Sequence, residues 1–180
     1  MDIGNIFVIS LIALYILFFL AIFKERKGIY KRLKPYISKL DIIIFSISVL
    51  IYIFIGLFLV QPVEQLYFDE NIYQGIALNI LHNLNGEWCQ YGTGYLYKCF
   101  SNAIYHDPIG EPFIIAIAFL FGGASINTAF NLQFIIGLLS LIAIAIVAIL
   151  FTNKKYSFGI ASLLFAIQPE IYIWARTQAT

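Results

Sequence analysis

The sequence predicts an all-α, polytopic integral membrane protein with about five transmembrane helices and one large extracytoplasmic loop that contains an interfacial helix. Composition is the first observation behind this prediction. Of the residues, 61% are hydrophobic and only 12% are charged, and the mean hydropathy is +0.87, which is typical of membrane proteins and not of soluble domains. The second observation is that apolar residues gather into uncharged runs of about 20 residues, the length that a helix needs to cross the hydrocarbon.

Two uncharged runs place the first two transmembrane helices, at residues 3–23 and 42–60. The chain begins with "MDIGN", which has an acid where a signal peptide carries basic residues, and no small-residue cleavage motif follows the first run. We therefore expect the first run to stay in the protein as an anchor helix. The predicted organisation is an anchor helix with a basic cytoplasmic loop over residues 1–41, followed by a transmembrane module over residues 42–180.

The second half of the chain contains the remaining predicted spans. Residues 112–153 carry no charge and are long enough for two helices, and "FGGAS" at residues 121–125 predicts a tight turn between them. Residues 156–174 are a last candidate, interrupted by a polar "QPE" segment. Two helices in the uncharged stretch would place the two lysines after Asn153 outside, against the positive-inside tendency, so the side of the C-terminal part stays open.

Charge asymmetry orients the chain in a cell membrane. Residues 24–40 carry seven basic residues and one acid, so they are expected to form a short cytoplasmic loop that also contacts anionic lipid headgroups. The N-terminus then lies outside, and so does the loop of residues 61–112. This external loop carries six acids and only one lysine, which agrees with the same orientation.

The external loop contains an acid pair, Asp69 and Glu70, followed by apolar residues with helical spacing over residues 72–84. One apolar face predicts a helix that lies along the membrane surface. Asp69 is placed to cap this helix, and Glu70 falls in the first turn, where the helix dipole favours negative charge. The acid pair is therefore explained equally well by helix capping and by a functional role.

Cys89 and Cys99 lie in the irregular, Gly- and Tyr-rich part of the external loop. They are the only cysteines in the chain and are expected on the oxidising face, so the first interpretation is a disulfide. The alternatives are metal ligation, for which the spacing is wider than in a CxxC site, and two free thiols.

The external loop closes with "HDPIGEPF", in which two prolines and a glycine predict a turn. Pro112 suits the first turn of the following helix. His106, Asp107 and Glu111 crowd this turn, and they are read either as capping and interfacial residues or as metal ligands.

Together these motifs resemble the GT-C glycosyltransferases, polytopic enzymes that use lipid-phosphate-linked sugars, and in particular the protein O-mannosyltransferase and aminoarabinose-transferase branch. In that family the external loop begins with Asp-Glu and carries a Tyr and an Ala a few residues on, which "DENIYQGIA" matches. The family's His-Pro type turn is similar to "HDP" at residues 106–108. Its closing segment of Pro, aromatics and Arg is similar to "QPEIYIWAR". The likeness covers residues 42–180, and each motif is short.

The resemblance implies a membrane glycosyltransferase, or the N-terminal portion of one. Such an enzyme transfers a sugar from a polyprenyl-phosphate-linked donor to an acceptor on the extracytoplasmic face. Asp69 is then the general base, with Glu70 beside it in the catalytic site. Tyr73 and Arg176 would bind substrate, and the planar guanidinium of Arg176 suits the donor phosphate.

The resemblance also implies a divalent metal ion as cofactor, held by His106 and Asp107 together with Glu70. Asp107 stands where some family members carry Lys or Pro, so a phosphate-binding lysine is not carried over to this position. Members of the family are far longer, so missing C-terminal helices or a partner subunit are expected, besides the lipid-linked sugar donor and membrane lipids.

Two other functional classes remain open. A non-catalytic small membrane protein, either an accessory subunit or an inactive remnant of a truncated gene, fits the short chain, because four or five helices do not readily enclose a lipid carrier and an acceptor. Arg176 would then anchor at lipid headgroups, and Glu170 would cap a break at Pro169. A transporter is disfavoured by the scarcity of intramembrane charges and the lack of an inverted repeat. The sequence has no nucleotide-sugar or nucleic-acid motif, so no nucleic-acid partner is expected.

Overall fold

The computed structural model describes residues 3–62, 69–90, 98–100, 103 and 109–175. Within these ranges the chain forms seven α-helices and one short antiparallel hairpin. The helices are α1 (Ile3–Leu33), α2 (Lys39–Phe54), α3 (Asp69–Asn83), α4 (Gly110–Gly122), α5 (Ile126–Thr152), α6 (Ser157–Ala166) and α7 (Pro169–Ala175). A π-helical segment, Ile55–Leu59, continues α2, and the strands are β1 (Cys89–Gln90) and β2 (Lys98–Cys99). The predicted all-α polytopic membrane class is confirmed.

Three of the described helices are long and apolar enough to cross a membrane: α1, α2 with its π-helical continuation, and α5, which span 31, 21 and 27 residues. Two further apolar helices, α4 with 13 residues and α6 with 10, are shorter. A straight span needs about 20 residues. Five apolar helices therefore lie where five were predicted, and three of them have spanning length.

The basic segment of residues 24–40 is largely helical, and its prediction as a loop was wrong. α1 continues through the basic residues to Leu33, with Lys31 and Arg32 in its last turn. Because Lys, Arg and Glu are good helix formers, their charge does not end a helix. Pro35 does, since its ring clashes with the preceding turn and it has no N–H to donate. The connection to α2 is reduced to residues 34–38.

The turn between the two helices of the uncharged stretch lies where the sequence predicted it. α4 ends at Gly122, and Gly123 follows as its C-cap with a φ of 79°. The Ser125 hydroxyl accepts a hydrogen bond from the backbone N–H of Thr128 at 3.2 Å, which satisfies a donor in the first turn of α5. Pro112 lies in the first turn of α4, also as predicted.

The chain divides into two compact units. Unit 1 comprises residues 1–20, 63–132 and 177–180, and unit 2 comprises residues 21–62 and 133–176. Both α1 and α5 contribute one part to each unit. The division into an anchor segment and a transmembrane module at residue 41 concerns membrane topology and stays a prediction.

The core of unit 1 forms around α3. All residues from 72 to 80 are buried, and the apolar ones pack with Val8 of α1 and Phe113 of α4. The opposite side of α3 is covered by the hairpin, because a Cβ at Gly75 would lie 2.9 Å from the carbonyl oxygen of Cys89. The sequence predicted this helix, with one apolar face buried. In the structure, residues on its other faces are buried as well. Its position along a membrane surface stays a prediction.

In unit 2, α2 and α6 run parallel and in close contact. Three small or short residues of α6, Gly159, Ser162 and Ala166, are buried. A Cβ at Gly159 would lie 3.0 Å from the Cβ of Ile44, and the Ser162 hydroxyl donates to the Ser48 hydroxyl at 3.2 Å. Small residues with such spacing let helix backbones approach each other, as in many membrane helix pairs.

Also in unit 2, α5 runs antiparallel to α2. The Tyr52 hydroxyl, in the C-terminal half of α2, donates to the carbonyl oxygen of Phe134 at 3.1 Å, and the two rings stack at 5.1 Å. At the other end, Asn153 shares a pocket with Lys31 and Pro35. The end of α5 and the start of α2 therefore lie at the same end of unit 2.

Candidate functional site

The acid pair of the external loop opens α3, which begins at Asp69 with Glu70 in its first turn. The side chains of both residues lie outside the described part of the chain. Their backbone is continuous with residues 72–80, all of which are buried in the core of unit 1. Because a helix is stiff over this distance, the packed core fixes the backbone position of the acid pair.

Tyr73, which the resemblance assigned to substrate binding, is only 4% exposed and belongs to the core of unit 1. Its neighbours in this core include Ile72, Ile76 and Ala77. Such an environment is typical of an aromatic residue that packs a helix against its surroundings. Contact of Tyr73 with a substrate therefore stays a prediction.

The other residues of the predicted site, His106, Asp107 and Arg176, lie outside the described residues. In the part of the chain that is described, no group of three or more His, Cys, Asp or Glu side chains is placed to hold a metal ion. The metal site at His106 and Asp107 and the phosphate contact of Arg176 stay predictions that rest on the resemblance.

The hairpin next to α3 is closed by a disulfide between Cys89 and Cys99. The two cysteines are also paired across the strands, and the hydrogen bonds continue beyond them, from the Trp88 N–H to the Ala103 carbonyl at 2.7 Å and from the Phe100 N–H to the Trp88 carbonyl at 2.9 Å. Neither thiol is free in this arrangement. The disulfide closes the hairpin, and the hairpin packs against the face of α3 that carries Gly75.

Polar side chains lie inside unit 1 near the hairpin, and the sequence analysis did not single them out. Glu87 is 8% exposed and Asn79 is 4% exposed. The Asn83 amide donates to the Asn79 amide oxygen at 2.8 Å, and the Glu87 N–H donates to the Asn85 side chain at 3.0 Å. Their signal in the sequence is weak, because a polar residue in a loop or on one side of an amphipathic helix is normally exposed.

An apolar groove of about 490 Å³ runs between α1, α3 and α4 of unit 1. Its walls include Tyr15 and Phe19 of α1, Leu81 of α3, and Phe113 and Leu120 of α4. The groove lies along the C-terminal end of α3, so 12 residues, or roughly 18 Å of helix at about 1.5 Å per residue, separate Leu81 from Asp69. Its lining suits hydrocarbon: among the described residues that form it, Tyr15 alone carries a polar group, whereas a reactive centre requires several that converge.

Asp41 is a fully buried carboxylate that the sequence-based predictions missed. It forms a capping box with Ser38 at the start of α2. The same carboxylate accepts hydrogen bonds from the backbone N–H groups of Gly159 at 3.1 Å and Tyr156 at 3.3 Å. The pattern Ser-x-x-Asp ahead of an apolar run could have predicted the capping box. The hydrogen bonds to α6 could not be predicted in this way, because they join residues more than 110 positions apart in the sequence.

Comparisons with known proteins give no relative for this chain: no protein-family model, no curated protein and no solved structure matches it. The glycosyltransferase resemblance therefore rests on the short motifs of the sequence.

Proposed function

We propose that this protein is a membrane glycosyltransferase, or the N-terminal portion of one, that transfers a sugar from a polyprenyl-phosphate-linked donor to an acceptor on the extracytoplasmic face. Three helices of spanning length support the membrane setting. Asp69 is the proposed general base. The proposal also includes Arg176 and the metal ligands, and for these residues the resemblance is the only support.

The observation that carries the proposal is the position of the acid pair at the N-terminus of α3, a helix whose next turns are buried. A general base must be held within hydrogen-bond reach of the proton that it removes. The packed helix gives Asp69 a fixed backbone position, and the positive end of the helix dipole favours negative charge there. The disulfide-closed hairpin packs against the same helix at Gly75.

The proposed reaction is a single displacement. Asp69 takes the proton of the acceptor hydroxyl while that oxygen attacks the anomeric carbon of the sugar. The bond from the anomeric carbon to the phosphate oxygen breaks, and the phosphate leaves with the electron pair on its lipid carrier. One such displacement inverts the anomeric configuration.

A non-catalytic accessory membrane protein is the second candidate, and one observation favours it. α3 is enclosed over residues 72–80, and an acid pair that opens a buried helix is also what capping alone requires. In that case the acids contribute to the stability of the helix and no substrate approaches them.

Sugar transfer from a polyprenyl-phosphate donor in membranes that carry this chain with any partner subunits tests the proposal. The variant Asp69→Asn keeps the shape of the side chain and removes the base, so transfer should fall at least about a hundredfold, the usual contribution of a general base. Glu25→Gln makes the same acid-to-amide change on α1 and should leave transfer unchanged.

Full transfer by the Asp69→Asn variant would exclude Asp69 as the base. Absence of transfer in the unmodified protein, combined with a loss of folding stability in Asp69→Asn, would favour the accessory protein over the enzyme.

A further inference from the structure

A pocket of about 380 Å³ lies in unit 2 where α1 and α5 end. Its polar lining residues are Lys31 and Arg32, in the last turn of α1, Tyr36, and Asn153, which follows α5. Asn153 has a φ of 50°, and its N–H donates to the Ile149 carbonyl at 2.8 Å. This left-handed conformation follows the end of α5 at Thr152 and leaves Asn153 among the lining residues of the pocket, together with the two cations.

The pocket is positively charged. None of its lining residues is acidic, and Lys154 and Lys155 follow Asn153 directly in the chain. The one acid of α2, Asp41, is buried and already accepts several hydrogen bonds. The carbonyl ends of α1 and α5 bring partial negative charge to this region, so an anion here would be held by side chains and not by helix termini.

The rest of the pocket wall is apolar. Pro35, Ile149 and Leu150 line it beside the ring of Tyr36, and Leu150 is 48% exposed on the outside of α5. Cations and an amide therefore lie next to a hydrocarbon surface that continues along a helix of spanning length. A phospholipid has the same order of groups, with a phosphate at the headgroup followed by acyl chains, whereas a soluble phosphate would leave the apolar wall unused.

We propose that this pocket binds the phosphate of an anionic phospholipid, with Lys31 and Arg32 contacting the phosphate, Asn153 donating to it, and the first part of an acyl chain lying against Leu150 and Pro35. The site is separate from the proposed sugar-transfer site, and it holds whether or not the protein is an enzyme. Basic pockets beside membrane helices are suited to anionic headgroups because each nearby cation strengthens the binding.

Native mass spectrometry of the full chain in mild detergent, titrated with phosphatidylglycerol, tests the proposal. One phosphatidylglycerol should bind more tightly than the rest, and phosphatidylcholine should show no such tight site. The double variant Lys31→Gln/Arg32→Gln should weaken the tight site by about tenfold to thirtyfold, because each cation near a headgroup contributes about a threefold to fivefold step.

The matched control is Lys24→Gln/Lys27→Gln, which removes the same charge from exposed positions of the same helix outside the pocket. It should change the tight site less than about threefold. A third variant, Asn153→Gly, keeps the left-handed backbone accessible, removes the amide, and should weaken the site severalfold.

Equal losses in the pocket variant and in the control would overturn the proposal in favour of diffuse charge attraction. Inorganic phosphate provides the other arm of the test: it should fail to displace phosphatidylglycerol at matched concentration. Displacement by inorganic phosphate at matched concentration would overturn the lipid as the source of the bound phosphate.

Discussion

At the scale of single residues, one carboxylate connects two helices of unit 2. Asp41 caps α2 together with Ser38. Its carboxylate also accepts hydrogen bonds from the N–H of Tyr156, the residue before α6, and from the N–H of Gly159, in the first turn of α6. Those N–H groups have no partner within their own helix. Because Asp41 is fully buried, water cannot replace it as the acceptor.

Asp41→Ala should therefore lower the free energy of unfolding by about 2–4 kcal/mol, the loss of a helix cap together with buried donors left without an acceptor. An unfolding titration in mixed micelles measures this change. Ser46→Ala is the control, because Ser46 lies on the exposed side of the same helix and bonds only the carbonyl of Ile42. A loss for Asp41→Ala no greater than that of the control would show that the shared cap does not stabilise the unit.

At the scale of helices, the contact between α2 and α6 depends on the small residues of α6. Gly159→Val would place a branched side chain where a Cβ already meets the Cβ of Ile44 at 3.0 Å. We expect a loss of about 1–3 kcal/mol, as for overpacked cores, and more if the N–H of residue 159 moves away from Asp41. Ile160→Val is the control, since Ile160 is on the exposed side. Equal unfolding midpoints for the two variants would contradict the close packing of these helices.

Much of this helical framework follows from the sequence, and the parts that do not have identifiable physical reasons. Uncharged runs placed the apolar helices, and the Gly-Gly-Ala-Ser turn and Pro112 marked their ends, because these signals are local. The helical conformation of the basic segment was missed because charge was taken as a sign of a loop, although Lys and Arg are good helix formers. The burial of α3 on several sides and the hydrogen bonds between Asp41 and α6 depend on contacts between segments that are far apart in the sequence. Hydrophobic periodicity carries no information about such contacts.

The candidate site shows the same limit. The start of α3 at Asp69 lies where the apolar spacing after the acid pair predicted a helix to begin, whereas the burial of Tyr73 and the polar residues inside unit 1 depends on the hairpin that folds over the helix. Glu87 and Asn79 carried no signal, because a polar residue in a Gly- and Asn-rich loop or on an amphipathic helix is expected to face solvent.

At the scale of the whole molecule, unit 2 bears on the topology that the sequence left open. The antiparallel arrangement of α2 and α5 places residues 59 and 133 at one end of the unit, and residues 38–41 and 153–159 at the other. If α2 spans the membrane, the chain leaves and re-enters unit 2 on the same side. Between these two points the chain then crosses the membrane an even number of times or not at all, and α4 has 13 residues, fewer than a straight span needs.

This arrangement changes the expected side of Lys154 and Lys155. Reading residues 112–153 as two full spans would place both lysines outside, whereas the contacts of unit 2 place them at the end that carries Lys31 and Arg32. All the basic residues of that end would then face the cytoplasm, in agreement with the positive-inside tendency. Residues 61–112, with their acids, would face outside as the proposed function requires.

The most direct test is labelling with a membrane-impermeant thiol reagent in intact cells and in permeabilised cells. The native cysteines are joined in the disulfide, so single cysteines introduced at Gln61, Lys34 and Lys154 provide the only reactive thiols. Gln61→Cys should react in intact cells, whereas Lys34→Cys and Lys154→Cys should react only after permeabilisation. Labelling of Gln61→Cys only from the cytoplasm would place the acid pair away from an extracytoplasmic donor and contradict the proposed function, and labelling of Lys154→Cys in intact cells would contradict the topology.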